Sequence, residues 1–379
     1  MSELLAICEA ARSARATGTT LFMASVVHVE GSSYRRPGAR MLFTSERLLA
    51  GSISGGCLER DVLARGPYRT REQAAVVARY DSSSEGELGG RVGLGCGGVV
   101  DVLIERIDPT SMCSAINFFE RSVAAEQSGV LVTVHRSLLP EVPVGARLAL
   151  SAQERSASFL HARVERELSG LAERALERQQ SSCYRAPDGT LEAFVEFVRP
   201  PPHLFVCGSN HDVVPLLTLA TNLGWRVTSV DRQERFSTRE TLSRVARRLI
   251  LPSAQLREHV DGCARPLVVI MSHDQDYDRE LLGQLLGSRA LYVGVLGPRR
   301  RTERMLSELA SSGRAPSELE LARMYAPAGL ALGAEGPEEI ALSIAAELQA
   351  VVARAAAVSL RETYPSSFSE RCAYAESAE

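Results

Sequence analysis

The chain of 379 residues contains no lysine; all 43 of its basic residues are arginine. That absence excludes a Schiff-base lysine, the lysine of a Walker A loop and a lysine general base. A phosphate or pyrophosphate must then be held by guanidinium forks and backbone N–H groups. No apolar run is long enough to cross a bilayer, and no basic segment precedes an apolar one at Met-Ser-Glu-Leu-Leu-Ala, so no signal peptide is read. The eight cysteines form no C-x-x-C pair, which argues against a zinc knuckle or a thioredoxin-like motif. A net charge of −3 gives no bulk attraction to nucleic acid or to an anionic membrane. The expectation is a cytoplasmic protein with reduced thiols, no nucleic-acid partner and no membrane partner.

Hydrophobic residues make up 45% of the chain and charged residues 23%, as in a globular protein, and the length calls for two or three domains. Periodicity places a helix over 1–15, strands at 21–29, 39–44 and 47–53, a helix at 71–79 and a strand at 98–107. Residues 1–107 are therefore read as a mixed α+β domain. A middle region, 108–202, carries further helices and strands and ends in the rigid linker Pro200-Pro201-Pro202. From His203 strands and helices alternate, so 203–355 is expected to be a Rossmann-like, doubly wound parallel sheet. Residues 356–379 read as a loose tail, and no internal repeat is detected. The fold class is α/β.

Two cysteines sit in glycine frames, Ser54-Gly55-Gly56-Cys57-Leu58-Glu59 and Gly93-Leu94-Gly95-Cys96-Gly97-Gly98. Glycine leaves a neighbouring thiol uncovered and lets the backbone turn sharply, whereas a packing cysteine is expected among bulky apolar residues. A short helix from Gly56, with Ser54 or Gly55 as N-cap, would put Cys57 in its first turn, where free N–H groups and the positive dipole end favour a thiolate. The competing reading is a tight strand-to-helix turn in which the cysteine is merely small.

In the second half, Gly208-Ser209-Asn210-His211-Asp212-Val213 stands where a G-x-G-x-x-G loop would be, with Asn210 and Val213 in place of the second and third glycines. Asp231 follows at the spacing expected of a residue that binds a ribose hydroxyl. His273 among aspartates and Arg299, which opens an arginine run, lie on loops expected at the same edge of the sheet. These residues suit a phosphorylated ligand; helix capping by Asp274 or Asp276 and a solvated arginine run are the plain structural alternatives.

Taken together these motifs resemble the xanthine dehydrogenase accessory protein family, the XdhC/CoxI group. The resemblance rests on Gly31-Ser32-Ser33-Tyr34-Arg35-Arg36-Pro37-Gly38-Ala39-Arg40-Met41, the two cysteine frames, Ser272-His273-Asp274-Gln275-Asp276-Tyr277-Asp278, Gly294-Val295-Leu296-Gly297-Pro298-Arg299-Arg300-Arg301 and Gly329-Leu330-Ala331-Leu332-Gly333-Ala334-Glu335-Gly336-Pro337. It implies a chaperone without turnover of its own. Such a protein binds the molybdenum cofactor, assists its sulfuration, and passes it to a xanthine dehydrogenase- or carbon monoxide dehydrogenase-type hydroxylase. A cysteine-desulfurase-type sulfur donor and a homodimer follow from the same expectation. Cys57 or Cys96 would face the molybdenum, with Gly55 and Gly56 beside it and Arg35, Arg36 and Arg40 as anchors for anionic groups. Gly208, Asn210, Asp231, His273 and Arg299 would line a second cleft. The alternatives are an NAD(P)-dependent oxidoreductase built on the Rossmann half and a thiol enzyme using Cys57, for which His28 is the one histidine in the first 107 residues.

Overall fold

The computed structural model describes residues 2–81, 98–107, 114–159, 161–233, 242 and 246–363, and the chain divides into two compact units, Glu3–Arg199 and Pro200–Leu360. Residues 108–199, the greater part of the middle region read above, thus share one unit with the first 107.

In the N-terminal unit, helix α1 (Ser2–Ala16) precedes strands β1 (Phe22–Gly31), β2 (Arg40–Phe43) and β3 (Leu48–Gly51). Helix α2 (Cys57–Arg69) follows, then β4 (Ala75–Asp81) and β5 (Gly98–Arg106). The five strands form one antiparallel sheet in the order β3-β2-β1-β5-β4. The helix expected at 71–79 is instead β4. Its Val76-Val77 pair is β-branched and its residues alternate in burial from Ala78 to Tyr80, which suits a strand against β5.

The second half of the unit repeats this plan. Helix α3 (Ala115–Ala124) precedes β6 (Gly129–Ser137), β7 (Arg147–Ser151) and β8 (Arg155–Ala157). Helix α4 (Ala162–Arg178), β9 (Ser182–Arg185) and β10 (Leu191–Val198) complete it, and the sheet order is β8-β7-β6-β10-β9. Strand for strand this is the first sheet again. The agreement extends to register: β1 skips Val27 against β5, and β6 skips His135 against β10 at the corresponding place. Matched through these ladders, Gly38-Ala39-Arg40 corresponds to Gly145-Ala146-Arg147, with both glycines at positive φ (95° and 86°). Likewise Leu58-Glu59-Arg60-Asp61-Val62 corresponds to Val164-Glu165-Arg166-Glu167-Leu168. The expectation of no internal repeat is therefore corrected. Few identities survive because the buried faces keep hydrophobicity and shape rather than residue type.

The two copies share a core formed by α1 and α3 with Met23 and Leu42 from one copy and Leu131 and Ala149 from the other. Two buried ion pairs cross between them reciprocally, Arg40 with Glu196 and Arg147 with Glu105. The Arg40 guanidinium also lies 4.2 Å over the Phe119 ring.

Among its described residues the C-terminal unit contains six parallel strands: β11 (His203–Cys207), β12 (Arg226–Asp231), β13 (Arg247–Ile250), β14 (Pro266–Ile270), β15 (Tyr292–Val295) and β16 (Met324–Tyr325). Their order is β13-β12-β11-β14-β15-β16, the Rossmann arrangement, so strand order reverses between β11 and β14. Helices α5 (Val214–Asn222) and, further along the chain, Pro337–Ala353 pack on one face through Leu216, Leu217, Ile344 and Leu348. Helices α6 (Ser253–Asp261), α7 (Gln275–Leu285) and α8 (Arg299–Ser311) cover the other through Leu256, Leu281 and Met305. Both faces of the strands are buried, as the continuous apolar runs of β11 and β14 require.

Candidate functional site

The turn joining β3 to α2 is built around one carboxylate. Glu59 Oε1 accepts hydrogen bonds from the Ser52 hydroxyl (2.8 Å) and from the N–H groups of Ile53 (2.9 Å) and Ser54 (2.8 Å). Its Oε2 accepts from the Gly56 N–H (2.9 Å) and from the Ser54 hydroxyl. Ser54 Oγ in turn accepts from the Leu58 N–H at 3.1 Å. Burial alone would push the Glu59 carboxyl up, but the hydrogen bonds from Ser54 and Ser52 outweigh it and hold it down at about 2. The helix N-cap is Gly56, at φ 121°, rather than Ser54 or Gly55. Cys57 is the first helical residue, as its backbone shows; its side chain, and all of Cys96, lie outside the described residues.

The neighbouring loop reaches the same turn. Tyr34 is 74% exposed, and its ring lies 3.5 Å from where a side chain at Gly55 would begin. Arg35 pairs with Glu3, whose other oxygen accepts from the Ser52 N–H at 2.7 Å, so Arg35 braces the turn. Arg36 is exposed and makes no ion pair among the described residues. Arg40, expected as an anion anchor, is enclosed: its guanidinium is committed to Glu196 and Phe119.

In the Rossmann unit Gly208, Asn210 and His273, three of the residues expected to line a cleft, lie on the two loops where strand order reverses, whereas Asp231 ends β12 and Arg299 follows β15. Gly208, at φ 146°, follows β11 so closely that a Cβ there would fall 2.6 Å from the Met271 carbonyl oxygen. Asn210 Nδ2 reaches the Ser272 carbonyl at 3.5 Å, and His273 Nε2 meets Asp212 Oδ2 at 2.5 Å, so the two loops flanking the reversal are bridged. Asp231 is buried, not open to a ribose: it accepts from the Ser209 hydroxyl and from the Arg232 N–H (2.7 Å). Asp274 is the N-cap of α7, accepting from the Tyr277 N–H at 3.1 Å. Arg299 is 79% exposed and pairs with Glu303 one turn along its own helix. Arg301 instead reaches the fully buried Asp278 at 2.6 Å, where burial pushes the carboxyl up against the pull of Ser272 and Arg301.

Two family models match the chain. One, described as the XdhC and CoxI family, matches residues 14–81, which hold the Glu59 turn. The other, the XdhC Rossmann domain, matches 204–348, which hold the bridged loops. The chain belongs to the XdhC and CoxI family.

Relatives agree with that membership. A Bacillus subtilis protein, a probable xanthine dehydrogenase subunit, is 29% identical over 327 residues, covering 86% of this chain and 91% of that protein. An uncharacterized protein of Escherichia coli, YqeB, is 29% identical over 204 residues, 52% of this chain and 34% of that protein. A crystal structure of a xanthine dehydrogenase from Bacillus halodurans has a TM-score of 0.72 and 27% identity, covering 96% of this chain and 99% of that one.

For an XdhC and CoxI chain, the sequence motifs named the turn but missed what shapes it. Glu59 stands three residues after the N-cap Gly56, the spacing of a capping box, and that signal was available. Tyr34 stands within the 31–41 motif, where residue type alone gives it no role. Asp212, the partner of His273, had no sequence signal, because the contact joins residues 61 apart.

Proposed function

We propose that this chain is an accessory protein for a xanthine dehydrogenase- or carbon monoxide dehydrogenase-type molybdenum hydroxylase. It binds the molybdenum cofactor at the 51–57 turn, keeps it through sulfuration by a cysteine-desulfurase-type donor, and passes it to the client. The observation that carries this reading is the Glu59-clamped glycine turn that opens a helix at Cys57 beside an exposed Tyr34.

The residues present suit such a group. A thiol at a helix N-terminus is inclined to the thiolate form and is a soft ligand, matched to a molybdenum–sulfur centre. The exposed Tyr34 ring offers a flat face to a pterin, and the exposed Arg36 offers a fork to its phosphate. When bound, the cofactor supplies the molybdenum centre on which the client's chemistry depends. The chain's own part is to hold and shield. Glu59 fixes the turn before any ligand arrives, and Arg35 with Glu3 fixes the loop that carries Tyr34 and Arg36. The oxidoreductase reading is weaker, since Asp231 is taken up by Ser209 and the bridged loops are tied by His273 and Asp212.

The test is anaerobic incubation of the purified protein with molybdenum cofactor, desalting, and fluorescence of the oxidised pterin. The expected result is retention near one pterin per chain, lost in Cys57→Ala. Absence of retention together with tight NAD(P)H binding would move the function to the Rossmann unit.

A further inference from the structure

Among the described residues, the N-terminal unit holds two copies of one plan, and the glycine turn of the first copy has no counterpart in the second. Aligned through the ladders, Gly51-Ser52-Ile53 corresponds to Ala157-Ser158-Phe159, and Ile53 and Phe159 are both buried. Beyond that point Ser54-Gly55-Gly56-Cys57 is answered by Leu160-His161-Ala162-Arg163. In the second copy His161 is the helix N-cap, its Nδ1 accepting from the Val164 N–H at 3.3 Å. The positive-φ glycine and the cysteine are gone, although Glu165 stands where Glu59 does. The second copy also lies outside both family matches.

What the second copy retains is its grip on the first. Glu196 of β10 pairs with Arg40, and Phe119 of α3 lies under the same guanidinium. The Arg40 backbone leads directly to the turn: Met41 is paired with Gly51, and a Cβ on Gly51 would fall 2.2 Å from the Arg40 carbonyl oxygen. A shift of Arg40 is therefore felt at residue 51, where the turn begins. The reciprocal pair, Arg147 with Glu105, buttresses the strand that leads into the glycine-free turn.

We infer that residues 115–198 are a second copy of the ligand-bearing unit at 2–106, fused to it as a built-in partner, which has lost its own ligand turn and positions the surviving one through Glu196. That the surviving turn holds a ligand rests on the function proposed above; the duplication and the positioning do not, and their tests need no pterin.

The measurement is the rate of iodoacetamide alkylation at Cys57 against pH, followed by peptide mass spectrometry on the full chain. Glu196→Gln and Glu105→Gln each leave one buried arginine without its carboxylate, so both are expected to lower the melting temperature similarly. Only Glu196→Gln should change the Cys57 rate, by about threefold or more, because only Arg40 adjoins the living turn. Equal effects of the two variants on Cys57, or none from either, would overturn the positioning role. A second variant keeps the duplication testable if both glutamine variants unfold. Leu160→Ser, His161→Gly, Ala162→Gly and Arg163→Cys together restore the turn above Glu165. The added thiol should show the pH–rate profile of Cys57. A profile like that of a cysteine in an unfolded peptide would mean that the two turns are not equivalent.

Discussion

Glu59 and Ser54 are joined at two points, the carboxylate accepting from both the backbone N–H and the hydroxyl of Ser54, and that hydroxyl in turn accepts from the N–H of Leu58 beside Glu59. The link closes the turn ahead of Cys57 into a ring. The turn's shape is thus set by an ionised carboxylate and not by a ligand.

That ionisation sets a pH dependence. The folded carboxyl titrates at about 2 against an ordinary 4.5, so its contribution is present above about pH 4.5 and fades as pH falls toward 2. Glu59→Gln should cost on the order of 3 kcal/mol at pH 7 in urea unfolding, and almost nothing at pH 2. An equal cost at both pH values would show that the negative charge is irrelevant.

Gly51 and Gly18 separate contact from backbone strain. Both have positive φ, 81° and 67°, but a Cβ at 51 would meet the Arg40 carbonyl oxygen at 2.2 Å, whereas at 18 nothing lies within 4 Å. Gly18→Ala should cost about 1 kcal/mol, the strain alone, and Gly51→Ala several times that. Thermal unfolding of the two variants checks this; equal losses would contradict the close approach of β2 to the turn.

His135 should make the N-terminal unit sensitive to mild acid. Burial first, then the neighbouring His28 and Arg136, push its imidazole down to about 4 from 6.5, and its Nε2 is buried without a partner. The unfolded chain therefore binds a proton that the folded chain refuses between about pH 6.5 and 4, and stability falls as pH drops through that window. His135→Phe keeps a ring against His28 and removes the titration, so its unfolding midpoint should vary less between pH 7 and 5 than that of the wild type. An unchanged pH slope would assign the acid response to other groups.

In the Rossmann unit the bridge between His273 and Asp212 spans the point where strand order reverses. Asp212→Ala should speed amide hydrogen exchange at 209–213 and 272–275 by about tenfold or more while the strands stay protected. Unchanged exchange would mean that Gly208 packing alone holds the loops.

Much of this protein could be read from its residues. The alternation of apolar strands and amphipathic helices after His203 specified a parallel sheet, because strands buried on both faces need continuous apolar runs. The motif around Gly55, Gly56 and Cys57 specified a sharp turn into a helix, because glycine, without a Cβ, admits backbone angles closed to other residues. The strand at 75–81 carries a pattern that also suits a helix, because short apolar stretches fit both periods, and what makes it a strand is its pairing with β5, such as Tyr80 with Val100.

The amino-acid sequence by itself determined the fold class, the family and the place of the glycine turn, all of which depend on local pattern and residue type. Only the tertiary structure decided what the polar side chains do. It gave Arg40 to Glu196, Arg35 to Glu3 and Asp231 to Ser209. It also showed that the chain contains the same sheet twice. Both outcomes rest on contacts between residues distant in the chain, where burial makes an unpartnered charge too costly to leave and where packing preserves shape after residue identity has drifted.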